Sequence, residues 1–310
     1  MLRLSNIIIS GITGFVGGNL KKHLGSTYSI LGLSRQASLE ENIQSYDKVS
    51  TEDLDNSKVF IHLAGKAHDL KKIADENVYF EVNTELTKSL FDKFLESNCE
   101  IFIFMSSVKA VADNVDNILE EETFPNPKTI YGKSKLAAEN YILSKNIPIN
   151  KKFYILRPCM IHGPSNKGNL NLLFNIINKG IPYPLGTFKN ERSFLSVDNL
   201  SFVIQKLIEI NPASGIYNVA DDDSISTKEL VKIIGEAIGK KAKVLNMPKG
   251  LIKLVAKIGD VLPLPLTTER LQKLTENYVV SNAKLKRALA DELPLSTKEG
   301  IKKTIHSFKQ

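Results

Sequence analysis

Residues 6–20, NIIISGITGFVGGNL, decide the fold. Asn6–Ser10 is a short β-branched run, long enough for a buried strand and too short for a helix. It breaks into Gly11-Ile12-Thr13-Gly14-Phe15-Val16-Gly17, after which NLKKHL (19–24) continues as a helix. Glycines in a strand-to-helix turn permit a tight backbone and let N–H groups approach a pyrophosphate at the helix N-terminus. The turn therefore marks a dinucleotide site, with Gly11, Thr13, Gly14, Phe15, Val16 and Gly17 at the cofactor.

The alternation continues outward from that turn. YSILGL (28–33), KVFIHLAG (58–65), EIFIFMSS (100–107) and KFYILRP (152–158) read as strands, with a helix near 75–97 and another opening at Tyr131. This predicts an α/β fold, a doubly wound parallel sheet (Rossmann) with right-handed crossovers. Ligands of such sheets sit beyond the carboxyl ends of the strands, where Gly11, Gly65, Ser107 and Pro158 fall. Beyond residue 160 the texture turns rich in Pro, Gly and Asn, as in IHGPSNKGN (161–169) and LPLPLTTE (262–269). The expected division is 1–160 with 194–218 as the dinucleotide-binding domain, and 161–193 with 219–310 as a smaller, mostly C-terminal substrate domain.

Composition narrows the class. The chain has 310 residues, 42% hydrophobic and 24% charged, as a soluble globular enzyme with one large and one smaller domain would. Its net charge of +7 comes from Lys and Arg scattered along the chain without a dense basic arm, so nucleic acid is not an expected partner. Cys99 and Cys159 form no C-x-x-C pair, so neither a disulfide framework nor a metal site is expected. The N-terminal apolar run has no convincing cleavage site, and no stretch approaches the ~18 apolar residues of a membrane span. A cytoplasmic location is expected.

The second strand ends in Ser34-Arg35, where a carboxylate would bind the ribose 2′-hydroxyl of NAD. The nearest acids, Glu40 and Glu41, come later, and an arginine suits the 2′-phosphate of NADP. NADP is thus expected, with NAD as the alternative. Asp47 is a possible adenine contact. The stretch TIYGKSKLAAE (129–139) sets Tyr131 and Lys135 one helical turn apart on one face. An ammonium beside a phenol lowers the phenol's pKa from about 10, making a usable general acid and base. Ser107 can bond a substrate oxygen jointly with Tyr131, and Ser106 is easily confused with it. Asn83 falls mid-helix, an unfavourable place, so it either supports the site through a water or faces solvent.

These pieces together resemble a known family. G-x-x-G-x-x-G, HLAG (62–65), Asn83, MSS (105–107), Tyr131-x-x-x-Lys135 and Arg157-Pro158 follow in the order of the extended short-chain dehydrogenases/reductases of the NAD-dependent epimerase/dehydratase type. The resemblance covers nearly the full length. It implies a hydride-transfer site of Ser107, Tyr131 and Lys135. It also implies cofactor contacts from Leu63, Ala64, Gly65, Asn83 and Pro158, with Tyr131 and Lys135. GNL (168–170) and ERSFLSVDNL (191–200) resemble members that bind nucleotide-activated sugars. Asn169 and the Leu170 backbone would there meet diphosphate or sugar, Arg192 would pair with the diphosphate, and Arg270 is a second candidate. SSVKAVAD (106–113) and GIPYPLG (180–186) resemble a bacterial subgroup linked to surface-polysaccharide sugars.

Departures from the pattern shape the expected activity. Val108 and Lys109 follow Ser107 where sugar dehydratases carry acids, which counts against dehydration. Pro158, Cys159 and Met160 replace residues of the galactose 4-epimerases, which counts against strict UDP-glucose/UDP-galactose epimerisation. The expected function is a 4-ketoreductase of a UDP-linked deoxy-amino sugar. A UDP-sugar 4-epimerase is the alternative, and a non-catalytic dinucleotide sensor a remote third. By analogy, relatives dimerise through helices flanking the sheet, so a homodimer is expected. In KGLIKLVAKIGDVL (249–262), Leu251, Leu254, Val255 and Ile258 form one face, expected to pack inward, while Lys249, Lys253 and Lys257 form another. A membrane contact through this segment is not favoured.

Overall fold

The computed structural model describes residues 6–38, 42–67, 75–166, 169–262 and 266–308. Seven strands form one parallel sheet: β1 (Asn6–Ser10), β2 (Ser29–Ser34), β3 (Ile43–Ser45), β4 (Val59–His62), β5 (Ile101–Met105), β6 (Lys152–Pro158) and β7 (Gly215–Val219). Their spatial order is β3-β2-β1-β4-β5-β6-β7. The chain reverses its direction of travel between β1 and β4, and the crevice beyond the carboxyl ends of those two strands is where such sheets bind ligands.

The strand sequences explain the burial. Ile7, Ile9, Val59, Ile61, Ile101, Ile103, Tyr154 and Leu156 point into one core. The residues between them, Ile8, Phe60, Phe102, Phe104 and Ile155, point into the core on the opposite face. A sheet covered on both faces needs near-continuous apolar strands, which is what these segments supply. A third core, including Leu170, Tyr183, Phe194, Leu230, Ile252 and Ile301, lies in the later half of the chain. There Met160–His162 pairs in parallel with Arg192–Ser196, which also pairs antiparallel with Ser224–Ile225.

Four segments differ from expectation. Strands β4 and β5 stop at His62 and Met105, so Leu63–Gly65 and Ser106–Ser107 leave the sheet and line its edge. The helix near 75–97 is α-helical over Glu76–Phe80 and Leu86–Glu96 but widens into a π-turn over Glu81–Glu85, a feature frequent at functional sites. In the helix Lys249–Val261 the packed stripe is Ile252, Ala256 and Gly259. The Leu251, Leu254, Val255 and Ile258 face, expected to pack inward, is exposed instead. Small side chains at 256 and 259 let the backbone approach the third core more closely than leucines would.

Polar groups pin the switch point. His62 is fully buried between Ser10, whose Oγ lies 2.6 Å from Nδ1, and Thr87, whose Oγ1 lies 2.9 Å from Nε2. Thr87 donates its hydroxyl proton to the Asn83 carbonyl at 2.7 Å, so it accepts from His62 Nε2–H and leaves Nδ1 to accept from Ser10. Burial, reinforced by the nearby Lys135 charge, pushes the imidazole down from 6.5 to about 3 and keeps it neutral. Behind β5 and β6, Arg157 and Glu139 form a buried ion pair, with Arg157 Nη2 donating to Glu139 Oε2 at 2.6 Å and Nε donating to both carboxylate oxygens.

Two outcomes are expected. Replacing Glu139 with Ala strands a buried guanidinium and should cost about 3–5 kcal/mol in urea unfolding, far more than a surface Glu→Ala change. Below pH 6.5 the unfolded chain takes up a proton on His62 that the folded chain refuses until about pH 3, so this residue removes stability as pH falls through that window. A His62→Gln variant should start less stable at neutral pH yet lose less on acidification, read from urea midpoints of both proteins.

Candidate active site

The glycine turn is partly exposed, and at Gly11 and Gly17 it leaves no room for a side chain. Gly11 has φ +71°, and a Cβ there would stand 2.8 Å from the Ala64 backbone nitrogen. A Cβ on Gly17 would stand 2.3 Å from the Gly11 carbonyl oxygen. Thr13 and Gly14 are exposed, Phe15 and Val16 half-buried. The helix Phe15–Leu24 begins after Gly14 with no side-chain cap and no acid in its first turn. Its free N–H groups and dipole thus face the crevice, an arrangement that fits the pyrophosphate of a nicotinamide dinucleotide. Ser34 is buried at the end of β2 and accepts from the Gln36 N–H at 3.3 Å, while Arg35 is exposed. Tyr46 stands between them and the turn: burial raises its phenol, whereas a bond from the Gly11 backbone and the Arg35 charge lower it. Asp47 is exposed, and Glu40 and Glu41 lie outside the described residues.

Lys135 occupies the centre of the edge. It is 4% exposed, and its Nζ donates to the Met105 carbonyl at 2.8 Å and lies 4.8 Å from the Phe104 ring centroid. Gly65 passes so close that a Cβ there would stand 3.0 Å from both Lys135 Nζ and Asn83 Oδ1. Burial lowers the ammonium's pKa to about 8, against the raising influence of Glu139. Leu63 is half-buried, Ala64 buried, and Pro158 buried as the last residue of β6.

Tyr131 opens the helix Ile130–Ser144, which Thr129 caps by accepting from the Gly132 N–H at 3.3 Å. The phenol is half-buried and bonded to the Ser107 hydroxyl. Its pKa is raised above 10.0, not lowered: desolvation outweighs the Ser107 bond. The expectation that Lys135 would depress it fails. Removing a phenolate from water is costly, and the ammonium is turned to the Met105 carbonyl. Tyr131 is therefore protonated at neutral pH.

Asn83 neither faces solvent nor needs a water. It is fully buried in the π-turn, accepts from Lys66 N–H at 2.7 Å, and donates to Lys66 C=O at 3.0 Å and Ser134 Oγ at 2.9 Å. Ser134 in turn donates to the Tyr131 carbonyl at 2.9 Å. Asn83 thus ties the loop after β4 to the first turn of the Tyr131 helix. The two serines also separate. Ser106 donates to Glu139 inside the protein, whereas Ser107 meets Tyr131 and accepts from Lys109 N–H at 3.2 Å.

In the later half of the chain, Arg192 is half-buried, 3.8 Å from Glu276 Oε1, and donates to the Lys273 carbonyl. The charges of Arg192, Lys273 and Glu276 all act on Lys109, whose Nζ donates to the Asp113 carbonyl at 2.7 Å and lies 4.2 Å from the Tyr278 ring centroid. Leu170 is buried in the third core, and the Asn169 side chain lies outside the described residues. Arg270 is exposed in the first turn of the helix Thr268–Thr275. Among the described residues no group of three or more His, Cys, Asp or Glu could hold a metal ion. Sequence reasoning missed Glu139, His62 and Lys109 as parts of the site. An acid on the helix of Tyr131 and a histidine ending an apolar strand were the available signals for the first two.

Comparison with known proteins agrees with this fold. The profile of the NAD dependent epimerase/dehydratase family matches residues 7–220. The UDP-glucose 4-epimerase of Vibrio cholerae is 30% identical over 98% of this chain and 96% of its own. The dTDP-4-dehydro-6-deoxyglucose reductase of Escherichia coli is 29% identical over 60% of this chain and 61% of its own. The solved UDP-N-acetylglucosamine 4-epimerase from Bacillus cereus superposes with TM-score 0.76 at 19% identity, covering 99% of each chain, and so shares the fold. The relatives thus include both sugar-nucleotide epimerases and reductases, and the chain belongs to the NAD-dependent epimerase/dehydratase family of enzymes.

Proposed function

We propose that this enzyme reduces the C4 ketone of a UDP-linked deoxy-amino sugar, using NADPH. The observation that carries the reading is the Tyr131 phenol, protonated at neutral pH and bonded to the Ser107 hydroxyl at the carboxyl edge of the sheet. A protonated phenol beside a hydroxyl that can orient a ketone oxygen offers what reduction needs, a proton at that oxygen. A reduced nicotinamide held at the glycine turn would supply the hydride to C4. Ser107 orients the ketone oxygen, and Tyr131 gives its proton to that oxygen as it becomes an alkoxide, a much stronger base than phenolate. Lys135, still charged below about pH 8, steadies the phenolate left behind. Arg35 is exposed at the end of β2, and residues 29–38 contain no carboxylate to claim a ribose 2′-hydroxyl, which supports the phosphorylated cofactor. Gly11, Thr13 and Gly14 would carry the pyrophosphate, and Leu63–Gly65, Asn83 and Pro158 would bound the nicotinamide side. Arg192, with Lys109 and Lys273 acting in the same field, is the cation assigned to the sugar-nucleotide diphosphate, and Asn169, the Leu170 backbone and Arg270 would be further contacts of that ligand.

A second reading has its own support. The Vibrio cholerae relative aligned end to end is a 4-epimerase, and an epimerase would use the same Tyr131 first as base and then as acid. It would keep its dinucleotide through turnover.

Purified protein with NADPH and a 4-keto sugar nucleotide should bleach the near-ultraviolet absorbance of the nicotinamide, and Tyr131→Phe should slow this by about 10²–10⁴-fold. Full activity in Tyr131→Phe would refute the proposed chemistry. Interconversion of UDP-sugars with no cofactor added, and no NADPH consumption with any 4-keto sugar, would select the epimerase. The direction of the cofactor preference is separable: Arg35→Ala should raise KM for NADPH while leaving KM for NADH nearly unchanged.

A further inference from the structure

The helix Lys249–Val261 carries an apolar ridge that the protein does not cover. Leu251, Leu254, Val255 and Ile258 are 44%, 56%, 37% and 43% exposed, and Val261 and Leu262 at its end 85% and 53%. The i, i+3, i+4, i+7 spacing puts the first four in one stripe, beside the packed stripe of Ile252, Ala256 and Gly259. Lys253 and Lys257 are exposed beyond the outer edge of the ridge, on the polar side, with Lys249 one turn earlier. We propose that this helix is a docking surface for an anionic lipid bilayer, lying in the interfacial plane with the ridge buried and the lysines toward the headgroups.

Three observations favour that occupant. The helix has 13 residues, too short to span hydrocarbon, and among the described residues no helix is long and apolar enough to cross a membrane. An apolar stripe backed by lysines is the pattern of helices that lie on membranes, and the chain's net charge of +7 adds attraction to an anionic surface. A ridge on a single short helix is small beside the ~800 Å² that each partner of a stable protein pair buries, which disfavours a second copy. The ridge is also coupled to the substrate side. Asp260 accepts from both the Thr268 N–H at 2.8 Å and the Thr268 hydroxyl at 2.5 Å, and the helix Thr268–Thr275 that begins there supplies the Lys273 carbonyl to Arg192.

The test is flotation of the full chain with vesicles of phosphatidylglycerol and, separately, of phosphatidylcholine. The chain should float with the anionic vesicles, less so at high salt, and weakly with the neutral ones. Leu254→Glu/Ile258→Glu, at two exposed positions, should retain its thermal midpoint and lose about tenfold or more of vesicle binding. Lys253→Glu/Lys257→Glu should lose the preference for anionic lipid. Absence of flotation at low salt overturns the proposal, as does flotation unaffected by both double variants. A dimer in sedimentation that dissociates in Leu254→Glu/Ile258→Glu, without vesicle binding by the parent, would assign the ridge to a second copy.

Discussion

A single ammonium, that of Lys135, is forced out of water at the carboxyl edge of the sheet, and most of the site is arranged around it. An unpaired buried charge is costly, so the fold supplies a carbonyl from the end of β5, an aromatic face from Phe104 and, one turn on, the Glu139 carboxylate. Gly65 must be a glycine for the loop after β4 to pass over it. His62 is kept neutral partly because the ammonium is near. Glu139 in turn is held by Arg157 and Ser106, so the charge that balances Lys135 is itself anchored in the core.

The same constraint sets the chemistry. With Lys135 engaged beneath the strand end, Tyr131 is governed by burial and by Ser107 and stays protonated. The charge next door matters when a phenolate forms, not before. In the proposed reduction, the lysine's contribution would therefore fall in the transition state, where an interaction lowers the barrier without tightening substrate binding. The π-turn serves the same end. It turns Asn83 inward, where it fixes the Lys66 backbone and, through Ser134, the carbonyl of Tyr131 itself.

Much of this was legible in the sequence, and the gaps have physical causes. The strands β1, β4, β5 and β6 announced themselves because a sheet covered on both faces requires uninterrupted apolar runs. The glycine turn could be read because few residues tolerate its backbone. β3, with only Ile43–Ser45, was invisible: three residues carry no period, and pairing with β2 makes the strand. Strand ends were overextended at Gly65 and Ser107 because apolar pattern cannot show where hydrogen bonding stops. The π-turn left no mark on composition, so Asn83 looked misplaced. The pKa of Tyr131 was misjudged because spacing gives proximity to a charge but not the desolvation that opposes it. For the helix Lys249–Val261, periodicity located the apolar residues but could not tell which stripe the core would take. The small side chains Ala256 and Gly259 decided that.

The most direct test of this account is the titration of Lys135 in the ligand-free enzyme, followed by the carbon-13 shift of its ε carbon and assigned by its loss in Lys135→Met. The account requires a midpoint near about 8, far below the ordinary 10.5. A lysine titrating at its ordinary value would mean a solvated ammonium, and the site as described would not exist.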